Sequence, residues 1–198
     1  MGEAGVEALM RVLASGGSTD ERRAAASLLG ELQAAQALPL LQGILSQDND
    51  VLLRRAAASA LRRLETPDSA PTLQALLGNP AEDRFVRMSA AYGLARLGHA
   101  EGVAGLTMIF AETTGDGRGR DVAFRSLASL NDERALPFMR QVAGSGAEPG
   151  YRLQAIRYLA AQGDRQALAI LQQIMRTPAE QPSIRDAASL AYATIAGR

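Results

Sequence analysis

At 198 residues with 47% apolar content, the chain can bury a sizeable core, and with only 4% aromatics that core must be built mainly of Ala and Leu. There is no Cys, which excludes a disulfide framework and a thiolate metal site, and all 21 basic residues are Arg. Formal net charge is zero, so no global field draws the protein to nucleic acid or to an anionic membrane.

A repeat of 32 to 33 residues organises the chain, anchored on Arg22, Arg54, Arg87, Arg120, Arg152 and Arg185. Three residues after each anchor stands Ala: Ala25, Ala57, Ala90, Ala123, Ala155 and Ala188. Seven after stand Leu29, Leu61, Leu94, Leu127, Leu159 and Tyr192. Ten after stand Leu32, Leu64, Leu97, Leu130, Gln162 and Ile195. Offsets of 3, 7 and 10 share one face of a helix, here named helix A. A second apolar set, such as Leu41 with Ile44 and Leu73 with Leu76, has the same periodicity and predicts a helix B.

In chain order, Val6, Leu9, Val12 and Leu13 predict a lone helix B over 1–16. Whole hairpins follow at about 18–49, 50–82, 83–115, 116–147 and 148–180, and a lone helix A at 181–198. The positions four before the anchors are Ser18, Asp50, Asp83, Asp116, Glu148 and Gln181, mostly N-cap types. Ser18 with Glu21 forms a capping-box pattern, and Pro149 and Pro182 fall where a first helical residue tolerates Pro. Acids four before an Arg predict i,i+4 ion pairs that offset the cost of a cation near a helix N-terminus. One all-α domain over 1–198 is expected. The apolar last helix leaves three expectations open: the natural protein continues, its ends meet other subunits, or a lone terminal helix suffices to cap the stack.

Val86-Arg87 with Ala90, Leu94, Leu97 and Gly98 resembles the short bacterial HEAT-like repeats first noted in phycobilisome lyases, and the Arg22 and Arg54 repeats carry the same residues. The similarity implies a right-handed α-α superhelix, a HEAT-like solenoid of five whole helical hairpins plus a half repeat at each end. It also implies helices A on the convex face and helices B on the concave face that usually holds a partner. Tetratricopeptide and ankyrin signatures are absent.

The exposed side of helix B centres on offsets 17, 21 and 24. In repeats one to three these positions are small and nearly uncharged: Pro39, Gly43 and Ser46; Pro71, Ala75 and Gly78; Ala104, Met108 and Ala111. Offset 20 adds a rim of Gln42, Gln74, Thr107, Arg140 and Gln172, and the ends turn polar at Glu7, Arg11, Gln141, Gln173 and Arg176. The expected function is a non-enzymatic scaffold that takes a peptide or helix of another protein in this groove, with Gln side chains bonding its backbone. Met108 is the adaptable central contact. The competing readings are a chromophore-lyase-like protein, which holds a tetrapyrrole and its target protein, and a binder of the nucleic-acid backbone.

Catalytic, metal and cofactor signals are lacking. The single His, His99, falls in an A–B turn and reads as a polar helix cap. Asp48-Asn49-Asp50 lacks the rest of a Ca²⁺ loop and reads as an inter-repeat turn. Residues 114–120 are Gly-rich but lack the Gly-Lys-Ser/Thr and the preceding strand of a phosphate cradle, and read as a loop. Arg54, Arg55, Arg62 and Arg63 cluster on one helix A, expected on the outer face, with no aromatics placed to stack on bases. No long apolar window or signal peptide is present, so a cytoplasmic location is expected over export.

Overall fold

The computed structural model describes residues 2–113 and 117–197. Among them are twelve α-helices and no strand. The first seven are α1 (Glu3–Ser15), α2 (Thr19–Glu31), α3 (Leu38–Gln47), α4 (Val51–Leu64), α5 (Ala70–Gly78), α6 (Arg84–Arg96) and α7 (Ala100–Glu112). The remaining five are α8 (Gly117–Leu130), α9 (Leu136–Gly144), α10 (Pro149–Gln162), α11 (Leu168–Arg176) and α12 (Pro182–Ala196). The chain divides into two compact units, Met1–Ala123 and Phe124–Arg198, with the division inside α8. In the first unit helices A (α2, α4, α6) stack on one another, and α1, α3 and α5 each pack on the following helix A. In the second, α10 stacks on α12, while α9 packs on α10 and α11 on α12.

The period places the core. All six Ala at offset 3, the five Leu at offset 7 and the helix-B residues Leu41, Leu73, Leu106, Met139 and Leu171 are essentially inaccessible to solvent. Ala at the tightest register lets backbones approach, and each buried Leu adds about 2 kcal/mol of apolar transfer. Offset 10 is less uniform: Leu64 and Ile195 are buried, whereas Leu32 is exposed.

Helix starts follow the cap chemistry only in part. Ser18 and Glu21 form the reciprocal capping box, and the Asp50 and Asp83 carboxylates each accept two N–H groups of their first turns. Glu148 and Gln181 occupy N-cap positions without a side-chain bond, and Pro149 and Pro182 follow them. Asp116, with Thr114 and Gly115 of the Gly-rich stretch, lies outside the described residues. Gly117–Arg120, expected in a loop, instead open α8, where the Arg120 guanidinium lies 4.3 Å from the Phe110 ring centroid.

The A–B turn has a feature the sequence hides. Its residue at offset 11 is left-handed in all five hairpins: Gln33, Glu65, Gly98, Asn131 and Gly163. At Gly98 the next amide, that of His99, donates back to Leu94 O at 2.9 Å, closing a Schellman-type end. Gln33 and Glu65 accept a conformation that costs an L-residue about 1 kcal/mol or more. Their side chains tie to the next repeat: Gln33 Nε2 donates to Arg63 O, and Glu65 receives both Arg96 Nε and Nη2 at 3.0 Å.

Candidate functional site

Among the helices B of the first unit, Pro39 and Pro71 sit in the first turns of α3 and α5, where their missing N–H groups cost nothing. A Cβ added at Gly43 would meet nothing within 4 Å. Between α3 and α5 these small residues leave an open cleft of about 800 Å³. Gln42, Gly43, Ser46, Pro71, Ala75 and Asn79 line it, together with the charged Asp48, Arg54 and Glu82. Thus Gln42, Gly43 and Ala75 come together in one concavity. Met108 stands 43% exposed on α7, and neither it nor Gln74 lines the cleft.

The rim differs from expectation. Gln42 Nε2 donates to Thr72 Oγ1 at 2.9 Å, and Gln74 Nε2 donates to Glu101 Oε1 at 2.7 Å. Thr107 Oγ1 donates to Val103 O of its own helix. In the second unit Arg140 donates to Gln166 and lies 3.6 Å from Asp164. Gln42, Gln74 and Arg140 thus tie one helix B to the next element, and Thr107 bonds within its own helix. The repeat that aligns them along the groove also places an acceptor about 26 to 30 residues on within reach. In the second unit Gln141, Gln173 and Arg176 are exposed and Gln172 is half-buried.

On the helix-A side, the anchors follow a rule that spacing alone did not show. Arg22 Nε donates to Leu13 O and its Nη2 pairs with Asp48 at 3.0 Å. Arg54 bonds Asp48 O and Asn49 O and pairs with Glu82. Arg152 bonds Ala143 O and holds Glu180 through both Nη atoms. Each of these guanidiniums binds a carbonyl at or just past the end of the preceding helix B and pairs with an acid in the loop after its hairpin. The expected i,i+4 pairs do not form at Arg54, Arg87 or Arg152: Asp50 and Asp83 are turned into their N-caps, and Arg87 reaches Glu112 instead.

The Arg cluster on α4 is consumed in the same way. Arg55 makes a two-point bond to Asp83, at 2.8 and 2.6 Å, and its guanidinium lies 4.5 Å from the Phe85 ring centroid. Arg62 lies over Tyr92 and Arg63 pairs with Glu31. Burial alone would raise the Asp83 carboxyl. The Arg55 hydrogen bonds and charge, with the N–H groups of Val86 and Phe85, outweigh it and hold the carboxyl below the usual range. Arg152 likewise holds Glu180 low. Burial lowers Arg62, and neighbouring Arg63 adds to that.

His99 occupies the backbone N-cap of α7, yet its side chain makes no capping bond and sits 3.6 Å from Glu101. The equivalent Asp132 and Asp164 do cap, accepting from Arg134 N and Gln166 N. In the Asp48-Asn49-Asp50 turn, Asp48 accepts Asp50 N and Asp50 caps α4. Among the described residues no helix is long and apolar enough to cross a membrane.

Stacked helical hairpins with an Arg-anchored period define an α-solenoid repeat protein. The family model for HEAT repeats matches residues 6–95 and 109–193, and the chain belongs to that family. No curated protein sequence matches it. Among solved structures, the complex of CpcE and CpcF of phycocyanin lyase from Nostoc sp. PCC7120 is similar with a TM-score of 0.60 and 21% identity. That match covers 92% of this chain and 74% of the other. Human deoxyhypusine hydroxylase in complex with glycerol matches with a TM-score of 0.45 and 19% identity, over 100% of this chain and 86% of the other. At those identities the likeness is one of fold.

Proposed function

We propose that the chain is a non-enzymatic scaffold that holds a peptide or helix of another protein on its helix-B side, with the cleft between α3 and α5 as the principal seat. The cleft carries this reading. It is concave, its lining sets Gly43, Pro71 and Ala75 among Gln42, Ser46, Asn49 and Thr72, and its charged groups are already paired, Arg54 with Glu82 and Asp48 with Arg22. Met108, exposed on α7 in the same unit, gives a further polarizable contact on the helix-B side. With Gln42 and Gln74 tied within the chain, the small side chains of Gly43, Pro71 and Ala75 leave the room into which the partner fits.

The test is capture of the partner from native lysate by the wild-type chain and by a Gly43→Arg/Met108→Arg double variant. Both positions have room for the new side chain, so the helical circular dichroism signal should be unchanged while capture falls at least tenfold. Undiminished capture by a folded double variant would reject the groove.

A lyase-like role is the second reading, favoured by the fold likeness to the CpcE and CpcF complex. Its mark would be a tetrapyrrole absorbance band that co-purifies with the chain or is retained after incubation with the free pigment. Nucleic-acid binding is disfavoured because Arg54, Arg55 and Arg63 are paired with acids and so offer little charge to phosphates.

A further inference from the structure

Charge is segregated between the two helix sets of the first unit. Its helices B (α1, α3, α5 and α7) carry Glu3, Glu7, Glu101 and Glu112 against one cation, Arg11, a net charge of −3. Its helices A (α2, α4 and α6) carry nine Arg against Asp20, Glu21 and Glu31, a net charge of +6. The two helices that form the cleft, α3 and α5, have no charged side chain. Asp68 stands exposed in the turn that leads into α5. The helices B of the second unit differ, with Arg140 and Arg176 and no acid, so the acidic bias belongs to the first unit alone.

The cleft lies where α3 and α5 end. Leu45, Ser46 and Gln47 of the last turn of α3 line it, with Leu76 and Asn79 at the end of α5. A helix C-terminus carries a partial negative charge and carbonyls without an intrahelical donor. Neither last turn holds a basic residue of its own. The Leu45, Ser46 and Gln47 carbonyls receive no hydrogen bond from the described residues. Arg54, the cation in the cleft lining, does not supply one. Its Nη1 goes to Asp48 O and Asn49 O in the turn beyond α3, and its Nε and Nη2 go to Glu82.

We propose that the protein segment seated in the cleft is basic and places an Arg or Lys side chain between α3 and α5. This rests on the cleft being the partner's seat, as proposed above, and adds the partner's chemistry. Such a side chain has two parts, and the cleft matches both. Its methylene stem lies over Gly43, Pro71 and Ala75, where the small side chains leave room. Its head has only donors to offer and meets the free carbonyls at the end of α3, the usual place for a cation on a helix. An acidic segment would bring its carboxylates to the negative end of the same helix. The net charge of the helices B adds an attraction of longer range, which salt weakens.

Three labelled peptides of about ten residues test it, identical except that two positions are both Arg, both Gln or both Glu. Fluorescence anisotropy with the full chain should show the Arg peptide binding at least tenfold more tightly than the Gln peptide, and the Glu peptide binding least. Two variants at the exposed Gln47 differ in sign, with circular dichroism as the check on folding. Gln47→Arg gives the end of α3 a cation of its own and should weaken the Arg peptide about tenfold, whereas Gln47→Glu should tighten it. Effects of the same sign from both variants would overturn the proposal. So would a Gln or Glu peptide that binds as tightly as the Arg peptide, or an Arg peptide that does not bind at millimolar concentration. Gly43→Leu, an uncharged block at a position with room for it, separates this outcome from the failure of the groove. Where a Gln or Glu peptide binds best and Gly43→Leu weakens it, the cleft remains the seat and only the basic class falls. Where the Arg peptide binds and Gly43→Leu leaves it unchanged, the cleft is not the seat and both readings fall.

Discussion

The Asp83 carboxylate joins two consecutive helices A. Its Oδ1 accepts the Phe85 and Val86 N–H groups that open α6, and both oxygens receive Arg55 from the preceding helix A. Asp83→Asn keeps a competent N-cap and loses the charged pair. Because Arg55 is about a third exposed, solvent screening limits the expected loss to about 1 kcal/mol at pH 7. The pH dependence follows from the depressed carboxyls of Asp83 and Glu180, whose ordinary values are 3.8 and 4.5. Their folded values lie below their unfolded ones, so between the two the unfolded chain binds more protons. Stability from these groups is complete above the ordinary range and is lost as pH falls through the folded values. Thermal midpoints should be level from pH 7 to about 5 and drop below about pH 4, with the effect of Asp83→Asn vanishing at the acid end. A difference that persists unchanged at pH 2 would mean that the pair contributes through shape and not charge.

At the scale of helices, the third hairpin differs from the others in how tightly it closes. Gly102 and Gly105 lie one turn apart on α7; Gly105 packs against Leu77 of α5 and Ala91 of α6, and a Cβ at Gly102 would stand 2.2 Å from Ala95 N and 2.5 Å from Ala91 O. Those are backbone atoms and cannot swing aside. Gly102→Ala should therefore cost about 2 kcal/mol or more, despite the better helix propensity of Ala. Gly43→Ala, on the open wall of the cleft, should be neutral or up to about 1 kcal/mol stabilising. Urea denaturation of the two variants side by side checks both signs, and equal effects would contradict the packing described. Neither glycine's environment could be read from the chain. Both look like poor residues in a helical window, and only the distance to α6 distinguishes them.

For the molecule as a whole, stability in stacked repeats is a sum of local terms and of contacts with adjacent repeats. In the first unit α4 is covered on both stacking faces while α1 has no preceding helix A. In the second, α10 is flanked by packed helices while α12 has no following helix A. Hydrogen exchange in dilute solution should therefore be slower in α4 than in α1, and slower in α10 than in α12. Uniform exchange across each unit would show cooperativity beyond the nearest repeat.

The hairpin register was legible because a helix needs its apolar residues every three or four positions and a stack needs them at the same place in every unit. Six Ala and five Leu at fixed offsets therefore named the core, and each of them is buried. The exposed side of helix B followed by subtraction, so Gly43, Ala75 and Met108 were placed correctly as surface positions. What the linear pattern could not show was which polar group meets which. Gln42, Gln74 and Arg140 looked free because their partners lie about 26 to 30 residues away, and the anchor arginines looked paired four residues back when they bridge loops. Left-handed turns at Gln33 and Glu65 carried no Gly to announce them. Periodicity is a one-dimensional property and survives in the sequence. Pairing across repeats, backbone approach and the cleft between α3 and α5 depend on how far apart the helices settle, and only the packed tertiary structure decides that.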